Sequence, residues 1–164
     1  MSEAGVAFDD VDALAITQGP GLIGALLVGV SYAKGLALAS GKPLVPVNHV
    51  HAHVHGALLG REEDLQYPAL AMVVSGGHTN LYKLEGPTSF ELIAYSLDDA
   101  CGECFDKVAK LLGLAYPGGP KIEKIAKEGD AKAIPMPQMV EEKDRLAFSY
   151  SGLKTHMANR IHQH

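Results

Sequence analysis

Short apolar runs alternate with stretches of helical spacing from one end of the chain to the other. Residues 13–17 read as a strand and residues 22–40 as a Gly/Ala-rich helix. Gly41-Lys42-Pro43 stops that helix, with Gly and then Pro just past its end. Residues 44–47 form a short strand that runs directly into a cluster of histidines. Residues 70–74 are a continuous apolar run, read as a buried strand and ended by Ser75-Gly76-Gly77. A hairpin partner follows at 79–84 and a third strand at 90–95. Residues 106–114 carry helical spacing, closed by Tyr116-Pro117-Gly118-Gly119-Pro120. Residues 121–128 form an amphipathic helix, 133–144 a loop, and 151–162 a last helix. Strands alternating with helices predict an α/β fold with some parallel pairing.

Composition narrows the classes. The chain has 164 residues, 47% hydrophobic and 20% charged, with a net charge of −5. That length suffices for one domain or two small lobes. The hydropathy excludes disorder driven by charge, and the acidic balance excludes a protein whose whole surface grips nucleic acid. Two cysteines cannot build a disulfide framework, so a reducing compartment is expected. No basic or apolar leader opens the sequence. The 21 residues between Asp12 and Lys34 carry no charge, long enough for a membrane span. However, Thr17-Gln18-Gly19-Pro20-Gly21 interrupts them after four apolar residues, so a strand, a turn and a buried helix are predicted instead. The interior glycines of that helix imply close approach to other backbone, since each costs roughly 1 kcal/mol relative to Ala. They could alternatively border a ligand.

Four histidines within Asn48-His49-Val50-His51-Ala52-His53-Val54-His55 are the strongest local signal. On a helix, His49 and His53 share one face and His51 and His55 another, and either pair could grip a metal. Spacing alone leaves both open, and a solvated histidine tract is the bland alternative. Ser75-Gly76-Gly77-His78-Thr79 follows a strand, where two glycines let backbone N–H groups turn toward an anion; a tight hairpin would use them too. Cys101-Gly102-Glu103-Cys104 has redox or half-zinc spacing but no second CxxC, so buried filler is the simpler reading. The loop at residues 116–120 is a second place where backbone could approach a ligand.

Several ordered motifs resemble one family. They are Ala15-Ile16-Thr17-Gln18-Gly19-Pro20-Gly21-Leu22, Asn48-His49-x-x-x-His53, Ser75-Gly76-Gly77-His78-Thr79, Asp98-Asp99-Ala100-x-Gly102-Glu103-x-Phe105-Asp106-Lys107, Tyr116-Pro117-Gly118-Gly119-Pro120 and Phe148-Ser149-x-Ser151-Gly152-Leu153-Lys154-Thr155. Together, from about Val11 to Thr155, they are similar to the TsaD/Gcp family of tRNA N6-adenosine threonylcarbamoyltransferases, long labelled O-sialoglycoprotein endopeptidases.

The resemblance implies an actin-like, sugar-kinase-like ATPase fold, here incomplete. Residues 1–100 would be the later part of the first lobe and residues 101–164 the beginning of a helical second lobe. It implies one divalent metal per subunit, Fe2+ or Zn2+, held by His49 and His53, with His51 where relatives often carry Glu. Ser75, Gly76, Gly77, His78 and Thr79, with Asp106 and Gly119, match positions that contact threonylcarbamoyl-adenylate or ATP. The cysteines fall where relatives carry small residues. The implied reaction moves a threonylcarbamoyl group from its adenylate to N6 of adenosine-37 in tRNAs reading ANN codons. The implied partners are tRNA, a TsaB-like paralogue and other threonylcarbamoylation components, in the cytoplasm and without a membrane. Family members are about twice this length. A first phosphate-binding hairpin is expected before Val11, and an Asn and an Asp metal ligand after His164, so the chain reads as a central fragment, inactive alone and prone to self-association. The rivals are a metal-dependent glycoprotease and a non-catalytic dimerisation module. Against the first, residue 50 is Val and residue 51 is His, so no His-Glu-x-x-His supplies a general base.

Overall fold

The structure, a computed structural model, describes residues 4–141 and 146–162. Its packing divides the chain into two compact units, Met1–Glu62 and Glu63–His164.

Unit 1 is built on a βαβ crossover. Strand β1 (Leu14–Gly19) leads into helix α1 (Ile23–Ser40), which returns the chain to β2 (Leu44–Asn48). The two strands pair in parallel, with Leu14 opposite Leu44 and Thr17 opposite Val47. Parallel neighbours require such a crossover. Gly41 ends α1 in the left-handed region at φ 69, where a residue without Cβ fits best. Helix α2 (His49–Leu58) follows β2 without a linker.

By length and composition α1 could cross a bilayer. Its packing says otherwise. It lies against β1, and spanning a bilayer would draw a two-stranded sheet with open edges into hydrocarbon, where unpaired backbone groups are costly. The close backbone packing expected at the α1 glycines is not found. A Cβ at Gly24 or Gly35 would meet nothing, and one at Gly29 only the Ile16 side chain at 3.6 Å. Ala33 is the one buried residue of the helix, while Leu22, Ile23, Leu27, Val28, Tyr32 and Leu38 are exposed. A helix apolar all round suits burial on every side, and two strands cover one side only.

Unit 2 opens with an antiparallel meander of β3 (Ala69–Val74), β4 (Thr79–Gly86) and β5 (Ser89–Tyr95). Val73, Tyr82, Leu84 and Ala94 are buried, whereas Leu70, Met72 and Val74 stay exposed. The apolar run at 70–74 is therefore covered at alternate positions rather than throughout. Helices α3 (Cys101–Leu111), α4 (Gly118–Ala126) and α5 (Ser151–His162) follow, with a two-residue pairing of β6 (Val140–Glu141) and β7 (Ala147–Phe148) between the last two. Cys104, Val108 and Tyr150 form a small core, onto which Ile122, Phe148, Leu153 and Met157 pack. The loop expected at 133–144 gives way to β6, and its last three residues lie outside the described residues.

Helices α3 and α4 begin five and three residues earlier than their spacing predicts. Neither is capped by a neighbouring side chain; both caps come from a distance, as shown below. The cap of α3, from Ser75 and Thr79, and that of α5, from Asp98, join residues 75–99 to helices after 100. Hence the packing of this chain divides at Glu62/Glu63, while the expected lobe boundary at 100/101 is crossed by hydrogen bonds. The fold is mixed α/β, parallel in unit 1 and antiparallel in unit 2.

Candidate functional site

In unit 1 the Asn-His motif has a local cause. The Asn48 side chain accepts hydrogen bonds from the backbone N–H of Val50 at 2.9 Å and of His51 at 3.2 Å. It is thus the N-cap of α2 and places His49 at the first helical position. Val50 and Val54 turn into the core, which leaves His49 half-buried and His53 exposed. Their Nε2 atoms stand 3.3 Å apart and their ring centroids 4.6 Å apart. Two imidazole nitrogens bound tetrahedrally to one zinc at about 2.0–2.1 Å lie about 3.4 Å from each other. The donor chemistry and spacing of this pair therefore fit a shared divalent cation. His49 also borders a cleft of about 460 Å³ beside Thr17, Gly21 and Leu22. His51 is half-buried, and burial followed by the charge of His55 lowers its pKa from the ordinary imidazole value. Among the described residues no three His, Cys, Asp or Glu side chains converge as a metal cluster.

In unit 2 the Ser75–His78 turn joins β3 to β4. The N–H of Ser75 donates to the carbonyl of His78 at 2.8 Å. The Ser75 hydroxyl accepts from the N–H groups of Gly77 at 3.3 Å and His78 at 3.1 Å. These are amides that an anion-binding nest would offer, and the serine oxygen now takes them. Thr79 is buried, and its hydroxyl accepts from the N–H of Cys101 at 2.8 Å.

Asp106 lies on α3, and its carboxylate accepts from the N–H of Gly118 at 2.7 Å. Pro117 offers no capping side chain, so Asp106 caps α4 from twelve residues upstream. Gly119 follows in the same turn. Between α3 and this loop lies a cleft of about 300 Å³, lined by Asp106, Lys107, Lys110, Tyr116 and Gly118 among others. The structure thus brings Ser75–Thr79, Asp106 and Gly119 onto or beside one helix, whereas His49 and His53 belong to unit 1.

Sequence reasoning missed a cluster that ties unit 2 together. The Asp98 carboxylate accepts from the Ser149 hydroxyl at 2.7 Å and from the N–H groups of Tyr150 at 2.8 Å and Ser151 at 3.2 Å. It caps α5 from over fifty residues away. Burial pushes the Asp98 carboxyl upward, but the donors from Tyr150, Ser149 and Ser151 together leave it below its ordinary value. Asp99 is bonded by Lys107 and by Lys154, the latter at 2.8 Å, and these two cations lower its pKa. The adjacent acids and the 148–155 motif were both visible in the sequence, but no spacing paired one with the other.

The CxxC holds two free thiols. Burial, then the charge of Asp99, raises the pKa of Cys104, which keeps it a thiol rather than a reactive thiolate. Burial and the hydrogen bond with Cys101 push the Tyr150 phenol up to about 12. Both observations agree with cysteines that fill space.

A family model described as TsaD, tRNA N6-adenosine threonylcarbamoyltransferase, matches residues 1–164. The chain belongs to that family. It is 54% identical over 162 residues to the tRNA N6-adenosine threonylcarbamoyltransferase of Moorella thermoacetica, covering 99% of this chain and 47% of that relative. It is 51% identical over 164 residues to the enzyme of the same name from Lawsonia intracellularis, covering 100% of this chain and 46% of the relative. The chain therefore spans about half the length of the curated relatives it matches. Among solved structures, YeaZ from Pseudomonas aeruginosa is 24% identical with a TM-score of 0.41, over 56% of this chain and 42% of that one.

Proposed function

We propose that this chain supplies part of a metal-dependent N6-threonylcarbamoyltransferase acting on adenosine-37 of tRNAs that read ANN codons. The reading is carried by the family match along the whole chain, with 54% identity to a relative of that name. In this reaction the bond between the carbamoyl carbon and the adenylate phosphate oxygen breaks, a bond from that carbon to N6 of adenosine replaces an N6–H bond, and AMP leaves while the N6 proton passes to solvent. The fold we assign is an incomplete actin-like, sugar-kinase-like ATPase, with its lobes divided at residues 1–100 and 101–164.

His49 and His53 are the residues to hold the metal, Fe2+ or Zn2+. An ion held there would supply Lewis acidity to the donor oxygens. In unit 2 the N–H groups of Gly77 and His78 can exchange the Ser75 hydroxyl for a phosphate oxygen. Asp106 and Gly119 contact the nucleotide in this reading, and Asp106 orients it while holding the Gly118 turn. Orientation of the donor accounts for much of the acceleration. The partners in this reading are tRNA, a TsaB-like paralogue and the other threonylcarbamoylation components, all in the cytoplasm.

Because the chain spans half the length of its relatives, we propose that it binds nucleotide weakly and does not modify tRNA by itself. The exposed apolar side chains of α1 favour self-association. A chimaera tests the assignment: these 164 residues replace the matching segment of the Moorella relative, and threonylcarbamoyl-adenylate and unmodified tRNA are supplied. Modified adenosine detected by mass spectrometry, and lost with His49→Ala or Asp106→Ala, supports it. An active chimaera indifferent to both substitutions refutes the site. Turnover by the 164-residue chain alone refutes its inactivity.

A further inference from the structure

Helix α3 starts at a residue that cannot cap it. Ala100 has no side-chain oxygen, yet the first amides of a helix need acceptors. The Ser75–Thr79 segment provides them. The Thr79 hydroxyl takes the N–H of Cys101 at 2.8 Å, and the Ser75 carbonyl takes the N–H of Gly102 at 3.2 Å. This second bond brings the turn onto the helix at Gly102. A Cβ there would sit 2.7 Å from the Ser75 carbonyl oxygen and 2.9 Å from both the Cα and the N of Gly76. All three are backbone atoms, so no side chain can swing aside. Even alanine must drive the turn away by several tenths of an ångström.

The second glycine loop meets the same helix in the same manner. A Cβ at Gly118 would overlap the Ala109 side chain and lie 2.9 Å from the Cα of Asp106 and 3.0 Å from the carbonyl oxygen of Phe105. Gly118 is buried. With 1.5 Å rise per residue, Gly102 and Asp106 are about 6 Å apart along the α3 axis. One rigid element therefore sets the separation of two loops whose nearest residues, Thr79 and Tyr116, are 37 positions apart in the chain.

We propose that Gly102 is a positioning residue of the nucleotide site, and that α3 is the common seat holding the Ser75–His78 turn and the Gly118–Gly119 turn at the spacing one nucleotide needs. This rests on the nucleotide reading of those loops given above. Gly102 touches no ligand itself; it acts by letting Ser75 and Gly76 lie directly on the helix. Phosphate contacts made by backbone amides cannot be re-aimed by rotamers, so displacement of the turn translates into lost affinity.

The test is made on the 164-residue chain with ATP as probe. In Gly102→Ala without ligand, the amide resonances of residues 75–79 should shift while those of residues 81–92 stay in place. ATP affinity should fall by roughly tenfold or more, within the range that ångström-scale misplacement produces, at a temperature well below the melting point of the variant. Gly152→Ala, where a Cβ meets open space, should bind as the wild type does. Thr79→Val, which removes the hydroxyl cap, should weaken binding, and Thr79→Ser should restore it; this pair answers the question if Gly102→Ala does not fold. Unmoved amides, or ATP binding equal to wild type in a variant that only melts earlier, overturn the role of Gly102. Wild-type protein that binds no ATP overturns the nucleotide reading itself, and the role with it.

Discussion

Helix α2 in unit 1 and helices α3, α4 and α5 in unit 2 are all capped by polar oxygens, but the caps come from opposite distances. Asn48 starts its own helix from the adjacent position. In unit 2 the caps are Thr79 and Ser75 for α3, Asp106 for α4 and Asp98 for α5. Unit 1 therefore starts its histidine helix locally, and it buries little: Ala33, Val50 and Val54 among its described residues. Unit 2 is held by bonds between remote segments, and those bonds place the two glycine loops. The contrast teaches that the histidine pair is set by helix geometry alone, while the two glycine loops come together only when unit 2 is folded.

Removing the histidine pair should give the largest effect. His49→Ala/His53→Ala is expected to weaken zinc or iron(II) binding, measured by calorimetric titration, by at least the roughly 10–100-fold that loss of an outer-shell partner alone costs. His51→Ala/His55→Ala should stay within a few-fold of wild type. The reverse order would refute the assignment and break the local half of the comparison.

Breaking a distant cap comes next. Asp98→Ala removes three acceptor contacts at the start of α5 and should lower the stability of unit 2 by about 1–2 kcal/mol in urea unfolding. Hydrogen exchange should show the loss spreading to α3 as well as α5. An effect confined to residues 149–153 would mean the cap is as local as that of α2.

Asn48→Ala supplies the matching local cut, at about 1 kcal/mol. Its exchange signature should stay within α2, leaving unit 2 unchanged. Spreading of the loss beyond unit 1 would count against independent assembly.

Acid should produce the smallest and most diagnostic difference. In the folded chain the donors around Asp98 and the two lysines beside Asp99 hold both carboxyls below their ordinary value. A depressed carboxylate contributes stability that is present above its unfolded value and lost as pH falls through its folded value. Unit 2 should therefore loosen only below about pH 4, as followed by circular dichroism and exchange. Asp98→Asn should flatten that transition; an unchanged acid profile would show that the carboxylate charge is not what holds α5.

Much of the fold was legible because its signals are short-range. Strands β1 and β3 and helix α1 follow apolar runs ended by Gly or Pro, β2, β4 and β5 lie within two residues of their predicted ends, and α5 spans the predicted residues. Helices α3 and α4 were legible only from their second turn, because their starts have no neighbouring cap and contain Gly102 or Gly118-Gly119. Of the site, the His49–His53 face follows from a 3.6-residue period once Asn48 is read as a cap. The gathering of Ser75, Asp106 and Gly119 does not follow from any spacing.

By itself, the sequence determined which residues could do chemistry, the family to which the chain belongs, and the helix that sets two imidazole nitrogens 3.3 Å apart. Those properties depend on periodicity and on contacts within about one turn. Tertiary structure decided where α3 begins, that Asp106 is engaged by Gly118, and that Asp98 reaches α5. Each of these is a hydrogen bond between groups separated by a turn, a helix or half the unit. Such bonds form only after the chain has folded back on itself, and nothing in local pattern encodes which distant donor a carboxylate or hydroxyl will meet.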